Sequence, residues 1–384
     1  MLACLFFVSC EKEMIKNEAR SEITLDSIFP TSARIGDTVS LFGTGFSFNP
    51  EEARIMLGSD SARLVDKTDT SIRFIVQKKF ESETTSLHIG DSLIVPGFPL
   101  SYRYIAVVST IAGNGDDYLR DGLGRFASFK CPWGLAIDGN KLYVADNYNH
   151  RVRTIDLADP DYNVSSIDPT VAGFYNPYNI AVDTLNHALF VTNFNDKVLK
   201  IDAQQVPTVI YTSAELKTST GIAVGPDKMV YVGDNIGNKL FKIDQNGQNR
   251  SEVCPMVLPR RILFDTNGDL YAINGHIMQV LSNGTLKHFE QDVQFNGWEF
   301  VVDKNGDFIQ ADHFTNKIQK VDRETGKVTI IAGSGLAMDK DGIGTEAAFD
   351  GPMSIAIDAV GNLYVSTYNF DTRGGNRIRK ITFE

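Results

Sequence analysis

The chain has 384 residues, of which 42% are hydrophobic and 22% charged, a composition typical of folded globular proteins and not of disordered or fibrous ones. Its 48 acidic residues outnumber its 37 basic residues, giving a formal net charge of −11. A surface of that sign repels phosphate backbones, so nucleic acid is excluded as an expected partner.

The chain begins with a short apolar run, MLACLFFVSC, which ends at Cys10 and is followed directly by charged residues. This run resembles the end of a bacterial lipoprotein signal peptide, in which the cysteine is lipidated and becomes the mature N-terminus. The resemblance implies export and a lipid anchor at Cys10, with residues 1–22 as signal remnant and linker. A disordered apolar tail is the alternative. No other stretch of the sequence approaches the ~20 apolar residues of a membrane span, so we expect membrane contact only through the anchor.

Residues 23–105 consist of short alternating segments separated by turn residues. Alternation with period two and frequent turns predicts a β-sandwich. The string IFPTSARIGDTVSLFGTGF, with its Gly-Asp at Gly36 and its Gly-x-Gly-Phe turn at Gly43, resembles the IPT/TIG family. The resemblance implies an immunoglobulin-like domain that acts as a spacer more often than as a binding site.

From residue 106 onward the chain repeats one strand unit six times. The first copy reads GLAIDGNKLYVADNYNHRVRTID and the last reads SIAIDAVGNLYVSTYNFDTRGGNRIRKIT. Copies spaced about 40 residues apart, each with several short strands, predict the blades of a β-propeller, because one blade cannot cover both of its faces alone. Cys131 and Cys254 fall in different copies, so we expect two buried thiols and no disulfide.

The first and last copies carry the elements A-G-x-G, D-G-x-G, A-x-F and Pro-x-Gly/Ser in order, and they resemble the NHL repeat. The middle copies lack the D-G-x-G loop. The overall prediction is an all-β chain: an immunoglobulin-like β-sandwich followed by a six-bladed NHL-type propeller over 106–384. In such repeats the T-I-A-G segment is the outer strand of the preceding blade. We therefore expect the N-terminal propeller strand, near residues 108–112, to complete the last blade.

A propeller gathers the loops before its inner strands and after its second strands at one face. Those loops contain both tryptophans of the chain and several tyrosines, interleaved with polar residues. Aromatic rings stack on sugar faces and amide or guanidinium groups bind hydroxyls, so the mixture predicts a glycan platform. Aromatic packing between blades is the alternative. The predicted ligand-binding residues are Trp133, Tyr148, Tyr178, Asn179, Arg260, Trp298, Glu299 and Tyr368.

Catalysis has weaker support in the sequence. Some NHL-like propellers are zinc lyases and related six-bladed folds are metal-dependent lactonases. Here His276 and His313 could share the predicted face with Glu299 and Asp312. Recurring aspartates such as Asp138 and Asp303 are interpreted as turn-capping residues. We expect no metal and no other cofactor, with a metal-dependent lyase or lactonase as the minority alternative.

The combination of a lipoprotein signal, an IPT/TIG domain and an NHL propeller resembles surface lipoproteins that accompany glycan uptake in Gram-negative bacteria. It implies a non-catalytic protein, lipid-anchored in the outer membrane at the cell surface, that captures an oligosaccharide. A scaffold for a surface protein partner remains the close alternative.

Overall fold

The computed structural model describes residues 23–47, 53–78, 80, 83–89, 92–167, 175–194, 197–212, 221–273, 276–288, 297 and 299–384. The chain divides into two compact units, residues 1–104 and 105–384. No helix among the described residues has the length and apolar character needed to cross a bilayer.

The described strands of the first unit form one hydrogen-bonded ladder in the order β1-β3-β6-β5-β4-β7-β8-β2. It encloses a single core in which Leu41, Ile55, Ile72, Phe74 and Leu87 are fully buried. This arrangement confirms the immunoglobulin-like domain. Its strands are β1 (Thr24–Phe29), β2 (Ser32–Ala33), β3 (Thr38–Thr44), β4 (Ala53–Leu57), β5 (Asp60–Lys67), β6 (Ser71–Ile75), β7 (Glu83–Ile89) and β8 (Ser92–Tyr102).

Two strands of this unit have irregular sequence patterns. Only Ala62 of the eight residues of β5 is buried, so the alternation in this strand is weak. Strand β8 runs unbroken through two prolines. The ladder shifts register opposite β8, and the Thr85 hydroxyl exchanges hydrogen bonds with the backbone of Phe98, at 3.1 and 3.0 Å, so the interruption is bridged by a side chain.

The described strands of the second unit form six antiparallel sheets, one for each predicted blade. In each blade the first strand is innermost. Blades 1 to 3 comprise β10 (Pro132–Asp138), β11 (Lys141–Asp146), β12 (Arg151–Asp156), β13 (Val164–Ser166); β14 (Pro177–Asp183), β15 (Ala188–Asn193), β16 (Lys197–Ile201), β17 (Pro207–Thr212); β18 (Ile222–Val224), β19 (Val230–Asp234), β20 (Lys239–Ile243) and β21 (Ser251–Pro255).

Blades 4 to 6 follow the same order, with one strand of blade 6 taken from the start of the unit. They comprise β22 (Arg261–Phe264), β23 (Leu270–Ile273), β24 (Ile277–Val280), β25 (Leu286–His288); β26 (Glu299–Val302), β27 (Phe308–Asp312), β28 (Lys317–Val321), β29 (Val328–Ala332); β31 (Pro352–Ile357), β32 (Leu363–Tyr368), β33 (Gly375–Phe383), β9 (Ala106–Ala112) and the short β30 (Gly342–Ile343). Short 3₁₀ turns span Gly124–Phe126, Asn147–Asn149 and Gly344–Glu346.

Each inner strand contacts the inner strand of the next blade, in the order β10, β14, β18, β22, β26 and β31, and β31 contacts β10 again. The blades therefore close into a ring. Strand β33 pairs with β32 on one side and with β9 on the other, so the two ends of the unit complete blade 6 together. This confirms the predicted closure.

The D-G-x-G motif of blade 1 forms an ion pair with a buried arginine on the third strand. Arg153 is fully buried, and its guanidinium donates to Asp146 at 2.6 Å, to Asp121 at 2.7 Å and to the Ser128 carbonyl at 2.9 Å. The ring of Phe129, from the A-x-F motif, lies 4.9 Å from the guanidinium carbon. The D-G-x-G motif thus supplies an anionic partner for the buried cation, and the A-x-F motif supplies an aromatic one.

Blade 6 repeats this cluster. Arg379 is fully buried and donates to Asp339 at 2.7 Å, to Asp341 at 2.8 Å and to the Ala348 carbonyl at 2.9 Å. The Phe349 ring lies 5.2 Å from its guanidinium carbon. Two motif copies that are far apart in sequence, but lie in blades adjacent in the closed ring, therefore perform the same structural task.

The same loops cover the outer edges of these two blades. Gly122 bridges to Val164 of β13, and Asp121 accepts from the backbone and hydroxyl of Ser166 at 3.0 and 2.9 Å. In blade 6, β30 pairs with β9, and the Thr110 hydroxyl donates to Asp341 at 2.9 Å. Each loop shields backbone groups on a sheet edge.

Asp183, Asp265, Asp303 and Asp358 cap turns, as predicted. The prediction is wrong for Asp138, which accepts no backbone N–H from the described residues and instead lies 2.7 Å from His187 of blade 2. Asp303 accepts from the backbone N–H groups of Asn305 and Asp307 at 2.8 and 3.0 Å. Cys131 and Cys254 are free, buried thiols, also as predicted, and burial raises the pKa of both.

Candidate binding site on the aromatic face

Two aromatic residues begin the inner strands of blades 1 and 2. Trp133 follows Cys131, whose φ is 56°, and Pro132; Tyr178 follows Asn176, whose φ is 44°, and Pro177. The left-handed residue and the proline turn the chain sharply into the strand. Equivalent local geometry brings the two rings into contact, with centroids 4.7 Å apart and planes at 70°.

Further rings extend this pair into a continuous patch that crosses blades 1, 2, 5 and 6. Phe370 lies 5.8 Å from Trp133 and 5.1 Å from Tyr368, and Phe194 lies 6.1 Å from Tyr178. We call the whole patch the aromatic face. Ring contacts of 4.7 to 6.1 Å join eight of its residues: Trp133, Tyr148, Tyr178, Phe194, His313, Phe314, Tyr368 and Phe370. The face also includes His150 and Tyr175, which stack on each other at 5.0 Å in the loops next to Tyr148 and Tyr178.

Much of this patch is open to solvent. Tyr148, Tyr175, Phe194 and Phe370 are 40–46% exposed and Phe314 is 72% exposed, although large aromatic side chains are usually well buried. The edge-to-face contacts hold the rings at fixed angles without covering their faces. A contiguous exposed aromatic patch on a rigid ring is the signature of a binding surface.

The polar groups of the face favour neutral forms. Burial raises the pKa of Tyr368 to about 12 and also raises the pKa of Tyr178, so both hydroxyls remain protonated donors near neutrality. Burial lowers the pKa of His150 and of His313. His150 accepts a hydrogen bond at Nδ1 from the Asn176 N–H at 3.1 Å, and its ring stacks on Tyr175 at 5.0 Å. The face therefore presents neutral aromatic surface.

Behind the face, three polar side chains from different blades meet in the central channel. Asn179 donates to Glu299 at 2.7 Å, Arg261 donates to Asn179 at 2.9 Å, and the Arg261 Nε atom lies 2.9 Å from a Glu299 oxygen. We call them the channel triad. Burial raises the pKa of Glu299 to about 7, against the opposing effects of Arg261 and Asn179.

The three residues of the channel triad occupy the same position of the repeat in blades 2, 4 and 5. In blade 1 the residue at that position is Gly134. A Cβ atom added there would lie 2.8 Å from the Asn179 side-chain oxygen, so a glycine is needed for the blades to approach. Asn179 and Glu299 are each 2% exposed. Their polar atoms bind one another in the structure, and their predicted contact with a ligand stays a prediction.

The structure brings together four of the predicted site residues, Trp133, Tyr148, Tyr178 and Tyr368, on the aromatic face. Arg260 is exposed and precedes the inner strand of blade 4. Trp298 and Cys10 lie outside the described residues. Sequence reasoning did not select Phe194 and Phe370, although both follow second strands, the position that supplied Tyr148.

The residues considered for a metal site have other roles. Asp312 is buried and accepts from the backbone N–H groups of Phe314 and Thr315 at 3.1 and 3.0 Å. His313 packs against Phe314 and Phe370. Among the residues that the structure describes, no group of three histidine, cysteine or acidic side chains is arranged to hold a metal ion.

Two family models match the chain. The NHL repeat matches residues 129–155, which include β10, β11 and most of β12 of blade 1, and the IPT/TIG domain matches residues 24–102. Both resemblances drawn from the sequence are confirmed.

The proteins similar to this chain have low sequence identity to it. The Protein SUPPRESSOR OF QUENCHING 1, chloroplastic, of Arabidopsis thaliana is 24% identical over 290 residues, 67% of this chain, and the chain spans only 26% of that protein's length. The crystal structure of an auxiliary nutrient binding protein from Bacteroides ovatus has a TM-score of 0.60 and 19% identity, covering 95% of this chain and 99% of the other. A streptogramin B lyase structure has a TM-score of 0.51 and 13% identity, covering 73% and 98%.

Proposed function

We propose that this chain, an NHL-repeat β-propeller with an N-terminal IPT/TIG domain, is an exported, lipid-anchored and non-catalytic binding protein that captures a glycan on its aromatic face. The observation that carries the proposal is the contiguous group of rings around the half-buried Trp133 and Tyr178, which includes the exposed rings of Phe194, Phe314 and Phe370.

The chemistry of the face fits a sugar. Rings fixed at edge-to-face angles offer flat surfaces for the C–H faces of pyranose rings, and protonated tyrosine hydroxyls can donate to sugar oxygens. Side-chain hydrogen bonds order the loops next to the rings: the Asn149 amide donates to the Asp146 carboxylate at 2.9 Å, and the Asn369 amide donates to the Asp350 carboxylate at 2.7 Å. These bonds hold the loops that carry Tyr148 and Phe370.

The name of the Bacteroides ovatus protein, auxiliary nutrient binding protein, supports a binding role for this fold along its whole length. The streptogramin B lyase structure covers 73% of this chain, and a metal-dependent lyase remains the enzymatic alternative. A protein partner is the closer alternative, because an exposed aromatic patch also suits a protein interface.

Affinity gel electrophoresis against a panel of soluble polysaccharides tests the proposal. We expect the wild type to be retarded by at least one polysaccharide. Trp133→Ala and Tyr178→Ala should each weaken that binding by tenfold or more, about 1.4 kcal/mol, because each removes a stacking surface.

Phe126→Ala is the matched control. Phe126 is exposed in blade 1, but it lies in the 3₁₀ turn whose Gly124 N–H binds the Asp161 carbonyl, away from the aromatic face. This variant should bind as the wild type does. Retention of full affinity in both aromatic-face variants would contradict the assignment of the site. Failure of every polysaccharide to retard the wild type would instead favour a protein partner.

The lipid anchor is tested at Cys10. We expect labelled palmitate to be incorporated when the wild type is expressed with its signal in a Gram-negative host, and the protein to fractionate with outer membranes. Cys10→Ala should lose both the label and the membrane association, because the thiol is the proposed acceptor. Equal labelling of the two proteins would disprove the anchor.

A further inference from the structure

A cavity of about 520 Å³ opens between blades 1 and 2, at the ends of the strands opposite to the aromatic face. It lies beside the turn after β10, at Asp138, whereas Trp133 lies near the start of the same strand. Five residues of extended chain separate the two, which is about 17 Å. A cavity of this size is in the range of small-molecule sites, about 300–1,000 Å³.

The lining of this cavity departs from the repeat at one tyrosine. Four blades place a tyrosine at the same position of the second strand, where Tyr143, Tyr231, Tyr271 and Tyr364 oppose equivalent inner-strand residues. In three of them the hydroxyl lies within hydrogen-bonding distance of the turn aspartate of its own blade: Tyr231 of Asp227 at 2.9 Å, Tyr271 of Asp265 at 3.4 Å and Tyr364 of Asp358 at 3.2 Å.

Blade 1 breaks this rule because its aspartate is used by the neighbouring blade. His187, at φ 54° in the turn of blade 2, reaches Asp138 at 2.7 Å. The Tyr143 hydroxyl forms no hydrogen bond with any described residue, although Tyr143 is only 5% exposed and lines the cavity. The unused hydroxyl thus faces a cavity that solvent reaches, where a bound ligand takes the place of water as its hydrogen-bond partner.

The charges of the cavity select the ligand. Three carboxylates line it, at Asp138, Asp156 and Asp202, against one ammonium, Lys141, which forms no ion pair with them in the described part of the chain. Asp156 and Asp202 each use one oxygen to cap a turn. Their second oxygens accept no hydrogen bond from described residues. The floor is apolar and is formed by Ile167, Leu189 and Ile201.

We propose that this cavity is a second ligand site, separate from the aromatic face, that binds a small organic cation. A primary ammonium is held by the carboxylates and by the Tyr143 hydroxyl, and its hydrocarbon portion packs on the apolar floor. Three carboxylates at one cavity attract an ammonium more strongly than a neutral group, although Asp156 is exposed and Asp138 and Asp202 are half-buried, and the apolar floor favours an alkyl chain over a hydrated metal ion.

Isothermal titration calorimetry with three six-carbon probes tests the site in the full chain. The probes are hexylamine, 1-hexanol and hexanoate at pH 7.5, which share a chain and differ in headgroup charge. We expect hexylamine to bind at least tenfold more tightly than 1-hexanol, and hexanoate not to bind. Hexylamine binding no more tightly than 1-hexanol would overturn the proposal.

Tyr143→Phe locates the site, because it removes only a hydroxyl that bonds nothing in the protein. It should leave thermal stability unchanged and weaken hexylamine binding about fivefold to tenfold. Tyr231→Phe is the matched control and should bind hexylamine as the wild type does. Unchanged affinity in Tyr143→Phe would place the amine elsewhere and refute the site. Trp133→Ala should also bind hexylamine normally, so this test and the glycan test fail independently.

Discussion

Removing residues 375–384 is expected to leave the propeller unfolded. Strand β33 pairs with both β32 and β9, so its loss exposes two strand edges and opens the ring. Ile378 and Ile381 are fully buried, and losing each large aliphatic side chain costs about 2–5 kcal/mol. Together with the lost ladder, this cost reaches the whole stability of a typical domain, about 5–15 kcal/mol.

Near-UV circular dichroism and thermal unfolding measure this effect, with a shorter truncation as the control. Removing only residues 383–384 deletes a single register pair, Phe383 with Ala106, together with the exchange between Glu384 and Ile105. That protein should unfold cooperatively at a moderately lower temperature. A cooperative transition and a wild-type aromatic signal in the longer truncation would contradict the role of the seam.

The second large effect is expected at Arg153. Arg153→Met removes the cation between two aspartates and leaves Asp146, which is fully buried, without its ion-pair partner. Breaking a buried ion pair from one side costs about 3–5 kcal/mol. Urea unfolding near pH 8 should show a loss of that size.

The loss should depend on pH in a defined direction. Burial already raises the pKa of Asp146 to about 6, against the opposing effect of Arg153, and without the arginine it rises further. Below its folded pKa the carboxyl of the variant is protonated and needs no cation. At higher pH the unfolded chain releases this proton, whereas the folded variant must either keep it or hold a buried carboxylate without a cation. The free energy of unfolding of the variant therefore falls as the pH rises. The variant should therefore lose less stability at pH 5 than at pH 8.

Arg125→Met is the control for this prediction. Arg125 is 67% exposed and lies 3.6 Å from Asp161, so it represents a solvated ion pair from the same blade. Its replacement should change stability by less than about 1 kcal/mol. Equal losses in the two variants, or a loss at Arg153 that does not vary with pH, would show that the buried cluster does not act as an ion pair.

The sequence predicts the architecture well because the repeat imposes it. Six copies of one strand unit cannot cover their own faces, and the position of the T-I-A-G segment before the first inner strand requires a seam between the two ends. Both features were found. The sequence could not show that Asp121 binds Arg153, because the two residues are far apart in the chain and only the folded blade brings them together.

The candidate site was predicted in part. Four predicted residues share a face because the parts of the repeat that carry them lie at the same end of the blades. Trp133 and Tyr178 lie at the start of inner strands, Tyr368 ends a second strand and Tyr148 follows one. Asn179 lies one residue beyond Tyr178, past a register shift, and side chains alternate along a strand. It therefore points into the channel while its neighbour joins the aromatic face. A loop-based prediction assigns both to one surface, since it carries no information on where the strand alternation begins.

The two complete motif copies stand on either side of the place where the chain's ends meet. Blade 6 is assembled from both termini of the propeller, and the clusters at Arg379 and Arg153 brace it and the blade that follows. The first propeller strand, β9, is also the one to which the preceding domain is covalently joined. A force applied through that domain would thus reach the propeller first at β9, in the blade that the Arg379 cluster stabilises and next to the blade that the Arg153 cluster stabilises.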